Sequence, residues 1–401
     1  MIYIFYILIF LFLYPYFIYP IILFILGKFI KYEYKFDNSL EPKVSIVISV
    51  YNEEELIIDC IKSILNSNYN SKNIEIFIGS DGSSDNTNQI VKDFIKSYKN
   101  IYFYEFGRSG KNLVLNNLIK HVKTDYVFYM DADIRITKDA IKNSIIYLAD
   151  NNVGLVISRM IQINSENYEP NLTLTTLKSI EAQFNTGLLG ESFYQKYEHY
   201  LRLWSSNIST SVNSLGAFYL MKMSLYEPIA NEKVCDDYYT VLTALVNQKK
   251  VMYNDNSIVF EVRKKQISDE MQRRIRLTAG SLSTLYIKKQ ILNPLFGFSS
   301  LFTWSNKLLR IISPIFFIFA VIFAYFVLKS DINIFYYKTF FEGLLILFVF
   351  STIFDKLGSN LNINLKIFKI YRFFIIMNIG YLLGIFEFLK GKHNSKWGHN
   401  I

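Results

Sequence analysis

A β-branched run, Val44-Ser-Ile-Val-Ile-Ser-Val50, is followed at once by the polar sequence Tyr51-Asn52-Glu53-Glu54. Short apolar runs bounded by turn-forming residues are typical of buried strands. Apolar residues then recur at helical spacing through Ile57, Ile61 and Leu65. The order of strand, polar loop and helix predicts one unit of an α/β sheet.

Two further units follow the first. Residues 74–78 read as a strand, 80–87 as a loop, and a helix comes after them; a third unit has a helix from about Lys111 and a strand over 126–130. Such alternation builds a parallel sheet flanked by helices, which binds its ligands beyond the carboxyl ends of the strands. The polar residues directly after each strand are therefore the candidate site residues.

The ends of the second and third strands carry acidic residues. Asp81 follows the second strand, where a carboxylate can accept hydrogen bonds from the edge of a nucleobase. The third strand is followed by Asp131-Ala132-Asp133. Two carboxylates at the end of a buried strand need a neutralising cation, and Mg²⁺ or Mn²⁺ takes oxygen ligands. An isolated Asp-x-Asp is often a solvated loop, but its position in line with the two earlier strand ends favours a metal site.

Hydropathy predicts membrane segments at both ends of the chain. The 401 residues are 51% apolar, and residues 1–27 carry no charge. A run of that length covers the roughly 20 helical residues that cross a bilayer. Lys28, Lys31 and Lys35 follow it and nothing basic precedes it, which predicts that the following domain is cytosolic.

The C-terminal region contains three apolar stretches, 311–328, 340–354 and 373–389, each of which could cross once. The basic tail does not fit four simple crossings, so three or four spans in total stay open. The predicted organisation is a transmembrane anchor (1–30), an α/β domain (40–285), interfacial amphipathic helices (286–310) and a C-terminal region of two or three transmembrane helices with a basic tail (311–401).

The net charge of +9 indicates a membrane partner and not a nucleic acid. Basic residues cluster near the predicted membrane edges, where they meet anionic lipid headgroups, and no nucleic-acid-binding motif is present. Cys60 and Cys235 alone cannot form a disulfide framework or a thiolate metal site.

The order of these motifs resembles that of a known family. Tyr51-Asn52-Glu53, Ser80-Asp81-Gly82-Ser83, Gly110-Lys111 and Asp131-Ala132-Asp133 together look like the inverting family 2 glycosyltransferases. The resemblance continues through Gly216-Ala217-Phe218, Asp236-Asp237, Arg273-Arg274-Ile275-Arg276 and Asn306-Lys307-Leu308-Leu309-Arg310. It implies a GT-A fold, which is a Rossmann-like mixed sheet flanked by helices, with transmembrane helices at both ends.

The resemblance also implies roles for individual residues. Nucleotide-binding residues would be Tyr51, Glu53, Asp81, Lys111 and Asp131. Asp133, with Asp131 beside it, would bind Mg²⁺ or Mn²⁺. Asp237 would be the general base with Asp236 next to it, and Arg274 and Arg276 would neutralise the donor diphosphate.

Two of these assignments have simpler alternatives. Asp236 and Asp237 could be an exposed acidic helix start, and the arginine run could be an interfacial basic helix. Arg273 and Leu277 stand where cellulose, chitin and hyaluronan synthases have Gln and Trp, which argues against processive synthesis.

The expected function is transfer of a hexose or N-acetylhexosamine from a nucleotide sugar to a glycan or glycolipid in surface polysaccharide synthesis. The family resemblance favours a UDP-sugar as the donor. The expected location is the cell membrane, as a multi-pass protein with a cytosolic catalytic domain. Three alternatives stay open: a polyprenyl-phosphate glycosyltransferase, a nucleotidyltransferase, and a membrane transporter or scaffold.

Overall fold

The computed structural model describes residues 2–164, 189–230, 233–263, 267–328, 343 and 366–391. Most of the predicted stretch 340–354 and the tail beyond residue 391 lie outside these ranges.

A mixed sheet of eight strands forms the centre of the described part of the chain, in the order β3-β2-β1-β4-β7-β6-β8-β5. The strands are β1 Val44–Val50, β2 Ile74–Asp81, β3 Ile101–Phe106, β4 Tyr126–Asp131, β5 Ile134–Ile136, β6 Val153–Asn164, β7 Phe218–Lys222 and β8 Lys250–Arg263. Strands β3, β2, β1 and β4 run parallel, and β7 pairs antiparallel with β4. The mixed sheet expected for the fold class is therefore present.

Helices cover the sheet and extend beyond it. They are α1 Ile2–Leu13, α2 Tyr19–Phe29, α3 Ile57–Leu65, α4 Thr87–Ile95, α5 Lys111–Ile119, α6 Ala140–Ile145, α7 Leu189–Ile208, α8 Asp236–Val246, α9 Ile267–Ile287, α10 Phe298–Phe302, α11 Leu309–Leu328 and α12 Lys366–Lys390. Two π-helical segments, Tyr14–Ile18 and Thr303–Leu308, join α1 to α2 and α10 to α11.

The three strands predicted from the sequence are present, and their ends lie side by side. Ser49 pairs with Asp131 and Val50 pairs with Ser80, so Asp81 and Asp131 flank the end of β1. β1 lies in the interior of the sheet, where residues such as Ile46 are completely buried. Strand β3 is an addition to the three predicted strands.

Three helical segments among the described residues are long and apolar enough to cross a membrane: Tyr3–Phe29, Phe298–Phe326 and Ile370–Lys390. They coincide with the predicted N-terminal anchor and with two of the three predicted C-terminal stretches. The region 286–310 was expected to hold interfacial helices. Its last part already belongs to the second long segment, because the π-helical turns continue α10 into α11 without a break.

The N-terminal segment is packed against the α/β domain at its π-helical turn. Pro15 has no N–H to donate, which loosens the helical ladder at this point. The Tyr197 hydroxyl donates to the carbonyls of Pro15 and Tyr16, at 3.2 and 3.1 Å. Tyr19 and Leu23 are buried in the same core cluster as residues of α7 and of the sheet. The segment is thus part of the folded core.

Candidate active site

A cleft at the carboxyl ends of β1, β2 and β4 contains the residues predicted to bind the nucleotide. Its lining consists of Ser49, Tyr51, Glu53, Asp81, Lys111, Asp131 and Ala132. The carboxyl ends of β1, β2 and β4 bring three parts of the chain together, where such sheets bind ligands, and Lys111 at the start of α5 adds a fourth.

Asp81 holds the loop that follows β3. Its side chain is 3% exposed, and its Oδ1 atom accepts the backbone N–H groups of Ser109 and Gly110 at 2.7 and 2.8 Å. Its Oδ2 atom pairs with the guanidinium of Arg108. Gly82, at φ +70°, allows this approach, because a Cβ there would lie 2.9 Å from the backbone nitrogen of Arg108. The carboxylate therefore fixes the position of the 108–110 loop.

Arg108 is a candidate site residue that the sequence reasoning missed. Its guanidinium carbon lies 3.5 Å from the centroid of the Tyr51 ring, so it joins Tyr51 to Asp81. Arg108 comes shortly after β3, in the same relation to its strand as the predicted site residues have to theirs. Recognising the run Ile101-Tyr-Phe-Tyr-Glu-Phe106 as a strand would have pointed to it.

Lys111 connects the two acidic parts of the site. Its Nζ atom lies 2.7 Å from Oδ1 of Asp131 and 2.8 Å from Oδ2 of Asp236. Burial works against its charge, but the two carboxylates outweigh burial and raise the pKa of Lys111. Burial raises the pKa of Asp131 to about 6, against the opposing effect of Lys111. Burial, with Asp131 nearby, also raises the pKa of Glu53 to about 7.

The Asp131-Ala132-Asp133 sequence offers only carboxylate oxygens, which suit Mg²⁺ or Mn²⁺. Asp131 lines the cleft, whereas Asp133 is 8% exposed and accepts the N–H of Val262 with its backbone carbonyl. Within the described ranges, no group of three His, Cys, Asp or Glu side chains is arranged to hold a metal ion. The residues fit a divalent ion that draws its remaining ligands from a bound substrate or from water.

A second cavity, of about 210 Å³, lies between the α/β domain and the long helical segments, and Asp237 lines it. Asp237 follows the first residue of α8, and its Oδ1 atom accepts the N–H of Tyr238 at 2.7 Å. Gly216 leaves room beside its other oxygen, since a Cβ there would be 3.3 Å from Oδ2. Burial raises the pKa of Asp237, and the charge of Asp236 adds to this effect. The acidic helix start of the simpler alternative is present, since α8 begins at Asp236, but neither carboxylate is exposed.

Of the predicted arginines, Arg274 lines this second cavity and Arg276 lines neither cavity. The Arg274 guanidinium carbon lies 5.2 and 5.9 Å from the ring centroids of Tyr194 and Tyr381. A Cβ on Gly380 would come within 2.6 Å of Arg274 Cγ, so α9 and α12 pack closely here. Arg274 thus lies at a helix interface beside the cavity.

Residues 45–224 match the family model described as glycosyl transferase family 2. These residues form a family 2 glycosyltransferase domain. The predicted family resemblance is confirmed by this match, and the motifs at Tyr51, Asp81 and Asp131 lie at the ends of β1, β2 and β4.

Individual relatives resemble parts of the chain. Glycosyltransferase GlyA of Streptococcus pneumoniae is 23% identical over 262 residues, which cover 60% of this chain and 35% of GlyA. The poly-beta-1,6-N-acetyl-D-glucosamine synthase of Staphylococcus epidermidis is 39% identical over 97 residues, 24% of this chain and 23% of the synthase. The matches thus span about a third or less of these curated relatives.

A solved structure resembles nearly the whole chain. It is the mannosyltransferase PcManGT from Pyrobaculum calidifontis in complex with GDP-Man and Mn²⁺, with a TM-score of 0.67 and 17% identity. The similarity covers 97% of this chain and 99% of the mannosyltransferase, so it includes the helical segments. The predicted GT-A fold is confirmed.

Proposed function

We propose that this protein is an inverting glycosyltransferase that moves a hexose or N-acetylhexosamine from a nucleotide sugar to a glycan or glycolipid acceptor in surface polysaccharide synthesis. The observation that carries the proposal is the bridge made by Lys111. It links Asp131, in the cleft that ends at Asp81, to Asp236, the neighbour of Asp237 in the second cavity. A donor site and an acceptor site therefore meet at one lysine.

The first cleft is the proposed donor site. Tyr51, Asp81 and Arg108 are the proposed contacts of the nucleobase, with Asp81 holding the Arg108 guanidinium beside the Tyr51 ring. We assign a UDP-sugar as the donor, in keeping with the family resemblance. The structurally similar mannosyltransferase was solved with GDP-Man, so GDP-sugars belong in the same assay.

Asp133 and Asp131 are the proposed ligands of Mg²⁺ or Mn²⁺. When bound, the ion supplies Lewis-acid stabilisation of the departing nucleoside diphosphate. Lys111 holds Asp131 in the cleft and adds positive charge near the diphosphate, and Arg274 and Arg276 remain candidates for the same role.

Asp237 is the proposed general base. It takes the proton from an acceptor hydroxyl as that oxygen bonds to the anomeric carbon, while the bond from the carbon to the diphosphate oxygen breaks. Attack from the face opposite the leaving group inverts the configuration. Burial and Asp236 raise the pKa of Asp237, which makes its carboxylate a stronger base than an exposed aspartate.

The three long apolar segments suit an integral membrane protein, with the catalytic domain on the cytosolic side where nucleotide sugars are made. A membrane position brings the second cavity close to lipid-borne or membrane-associated acceptors.

The test uses full-length protein purified in detergent, with a panel of labelled UDP- and GDP-sugars and either Mn²⁺ or Mg²⁺. Release of nucleoside diphosphate and of labelled product is measured for wild type, Asp133→Ala and Asp237→Asn. Asp93→Asn is the matched control, because Asp93 is exposed on α4 and paired with Lys96. Activity in wild type and the control but not in the two site variants is expected; equal turnover in all four contradicts the mechanism.

A further inference from the structure

Three polar residues at the second cavity are not used by the proposed reaction: Asn306, Lys307 and Arg310. The first two belong to the π-helical segment Thr303–Leu308, and Arg310 lies in the first turn of α11. Such π-helical turns occur frequently at functional sites, since they turn side chains out of the regular helical pattern. Here they lie at the junction between the long apolar segment and the catalytic domain.

Asn306 and Arg310 are buried with unused hydrogen-bonding capacity. Asn306 is 1% exposed, and neither its amide nitrogen nor its amide oxygen makes a hydrogen bond. Arg310 is 5% exposed and pairs with Glu198 through Nη1, but its Nε and Nη2 atoms have no hydrogen-bond partner. Buried polar groups are nearly always hydrogen-bonded, so groups of this kind beside a cavity indicate a ligand from outside the protein.

The charges around the cavity indicate that this ligand is anionic. Of the described residues that line it, five are lysine or arginine and two are carboxylates. Glu198 is already paired with Arg310 and with Arg202, the latter at 3.6 Å, and these partners lower its pKa to about 2 despite burial. Arg202, Lys307 and Arg310 alone carry three positive charges, against the two negative charges of Glu198 and Asp237.

The position of Lys307 connects this positive charge to the proposed base. Its Nζ atom lies 4.6 Å from the centroid of the Tyr238 ring, next to Asp237 in sequence. Lys307 and Asp237 also line the same cavity, so an anion held by Lys307 would share that cavity with the acceptor hydroxyl from which Asp237 takes a proton.

Apolar side chains of the long helical segments also line the cavity. Ile311 of α11 and Phe373 of α12 line it, and both lie in segments that are apolar enough to cross a membrane. A cavity lined by cationic side chains, apolar side chains and the proposed catalytic carboxylate suits a molecule with an anionic group, a hydrocarbon chain and a sugar.

We propose that the cavity binds the phosphate or diphosphate group of a lipid-linked saccharide, with Asn306, Lys307 and Arg310 as its polar contacts. The free N–H groups of Arg310 and the ammonium of Lys307 bind phosphate oxygens, and the Asn306 amide can serve both a phosphate oxygen and a sugar hydroxyl. The terminal sugar then presents a hydroxyl to Asp237. This inference rests on the proposed function and names the class of its acceptor.

The first test measures binding and needs no turnover. Full-length protein in detergent is titrated with farnesyl-diphosphate-linked N-acetylglucosamine and with the farnesyl glycoside that lacks the diphosphate. Wild type should bind the diphosphate lipid about tenfold more tightly, the loss expected when one or two charged hydrogen bonds are removed. Lys307→Met and Asn306→Leu should abolish this preference. Lys289→Met, a charge-matched change at an exposed lysine outside the cavity, should keep it.

Equal binding of the two lipids by wild type overturns the inference. The inference is also overturned if vesicles of phosphatidylglycerol displace the diphosphate lipid as well as unlabelled diphosphate lipid does. The site would then accept any anionic lipid. If a soluble sugar phosphate binds as tightly as the diphosphate lipid, the cavity is a phosphate site that does not require a lipid. That result also contradicts the proposal of a lipid-linked acceptor.

The second test separates this inference from the proposed function. With a labelled UDP-sugar, Lys307→Met should raise the KM for the diphosphate lipid by about tenfold, and by much more than it changes the KM for the donor. Lipid binding without sugar transfer by wild type would refute the proposed function alone. Sugar transfer to both lipids with the same KM would refute the lipid-diphosphate site alone.

Discussion

Replacing Lys111 by methionine tests the arrangement on which the proposed mechanism depends. The lysine is 15% exposed and contacts Asp131 and Asp236, which are 18% and 17% exposed. Methionine keeps most of the apolar stem but removes the shared cation, leaving two neighbouring carboxylates with little access to water. Removing one partner from a buried ion pair costs about 3–5 kcal/mol.

That cost should appear as a lower unfolding temperature. Each kcal/mol shifts the melting temperature of a domain of about 150–250 residues by roughly 2–4 °C, so a fall on the order of 10 °C is expected near pH 8. The difference in unfolding temperature between wild type and Lys111→Met should become smaller as the pH falls. Burial already raises the pKa of Asp131 to about 6 in the folded protein, and loss of Lys111 raises this pKa further. The folded form of the variant thus takes up a proton more readily than the unfolded chain, and its deficit shrinks as the pH falls toward the ordinary aspartate range.

Thermal unfolding of full-length protein in detergent, followed by intrinsic fluorescence near pH 8 and near pH 5, measures both effects. Lys120→Met is the matched control, because Lys120 follows the same helix but is exposed and contacts only Asn117 among the interactions described for it. The reasoning is refuted if Lys111→Met unfolds like the control at the higher pH, or if its deficit grows on acidification.

Three further predictions concern catalysis. Asp237→Asn should lower kcat by about 10²–10⁴ with little change in donor KM, because it removes a general base; a change in donor KM alone would contradict that role. Burial and Asp236 raise the pKa of Asp237, so kcat/KM should fall on acidification at a higher pH than for an ordinary aspartate. Asp236→Asn should move this fall to lower pH, and an unmoved pH profile would exclude Asp237 as the titrating group. Arg108→Ala should raise donor KM by about tenfold, since it removes the charged partner of Asp81; unchanged binding of UDP in a titration would show that Arg108 does not take part in donor binding.

The sequence predicts the parallel half of the sheet well, and the reason lies in its strands. Strands such as β1 are continuous apolar runs buried on both faces, and such runs stand out in a sequence. Strand β3 is different: it lies at the edge of the sheet, Tyr102 is 38% exposed, and aromatic residues mask its alternation. The individual strands of the antiparallel half are harder to predict, since β7 joins β4 from a distant part of the chain.

In the candidate site, too, the sequence predicts what depends on neighbouring residues and not what depends on contacts between distant parts of the chain. The residues at strand ends could be predicted, because a strand and its following residue are contiguous in sequence. The contacts of Lys111 with Asp236, and of Arg108 with Asp81, depend on how separate loops meet in three dimensions. The unsatisfied amide of Asn306 is likewise visible only in the folded chain, although the sequence around it resembles that of membrane-bound family members.

The attachment of the N-terminal segment to α7 affects how this enzyme should be prepared. Tyr197 binds the carbonyls of Pro15 and Tyr16, and its neighbour Glu198 is the anchor of Arg310 beside the second cavity. Deleting residues 2–29 to obtain water-soluble protein would free this tyrosine and uncover the core residues against which Tyr19 and Leu23 pack. Soluble truncations should retain the nucleotide cleft of the family 2 domain yet lose the shape of the acceptor cavity, so screening them for acceptors would return misleading negatives.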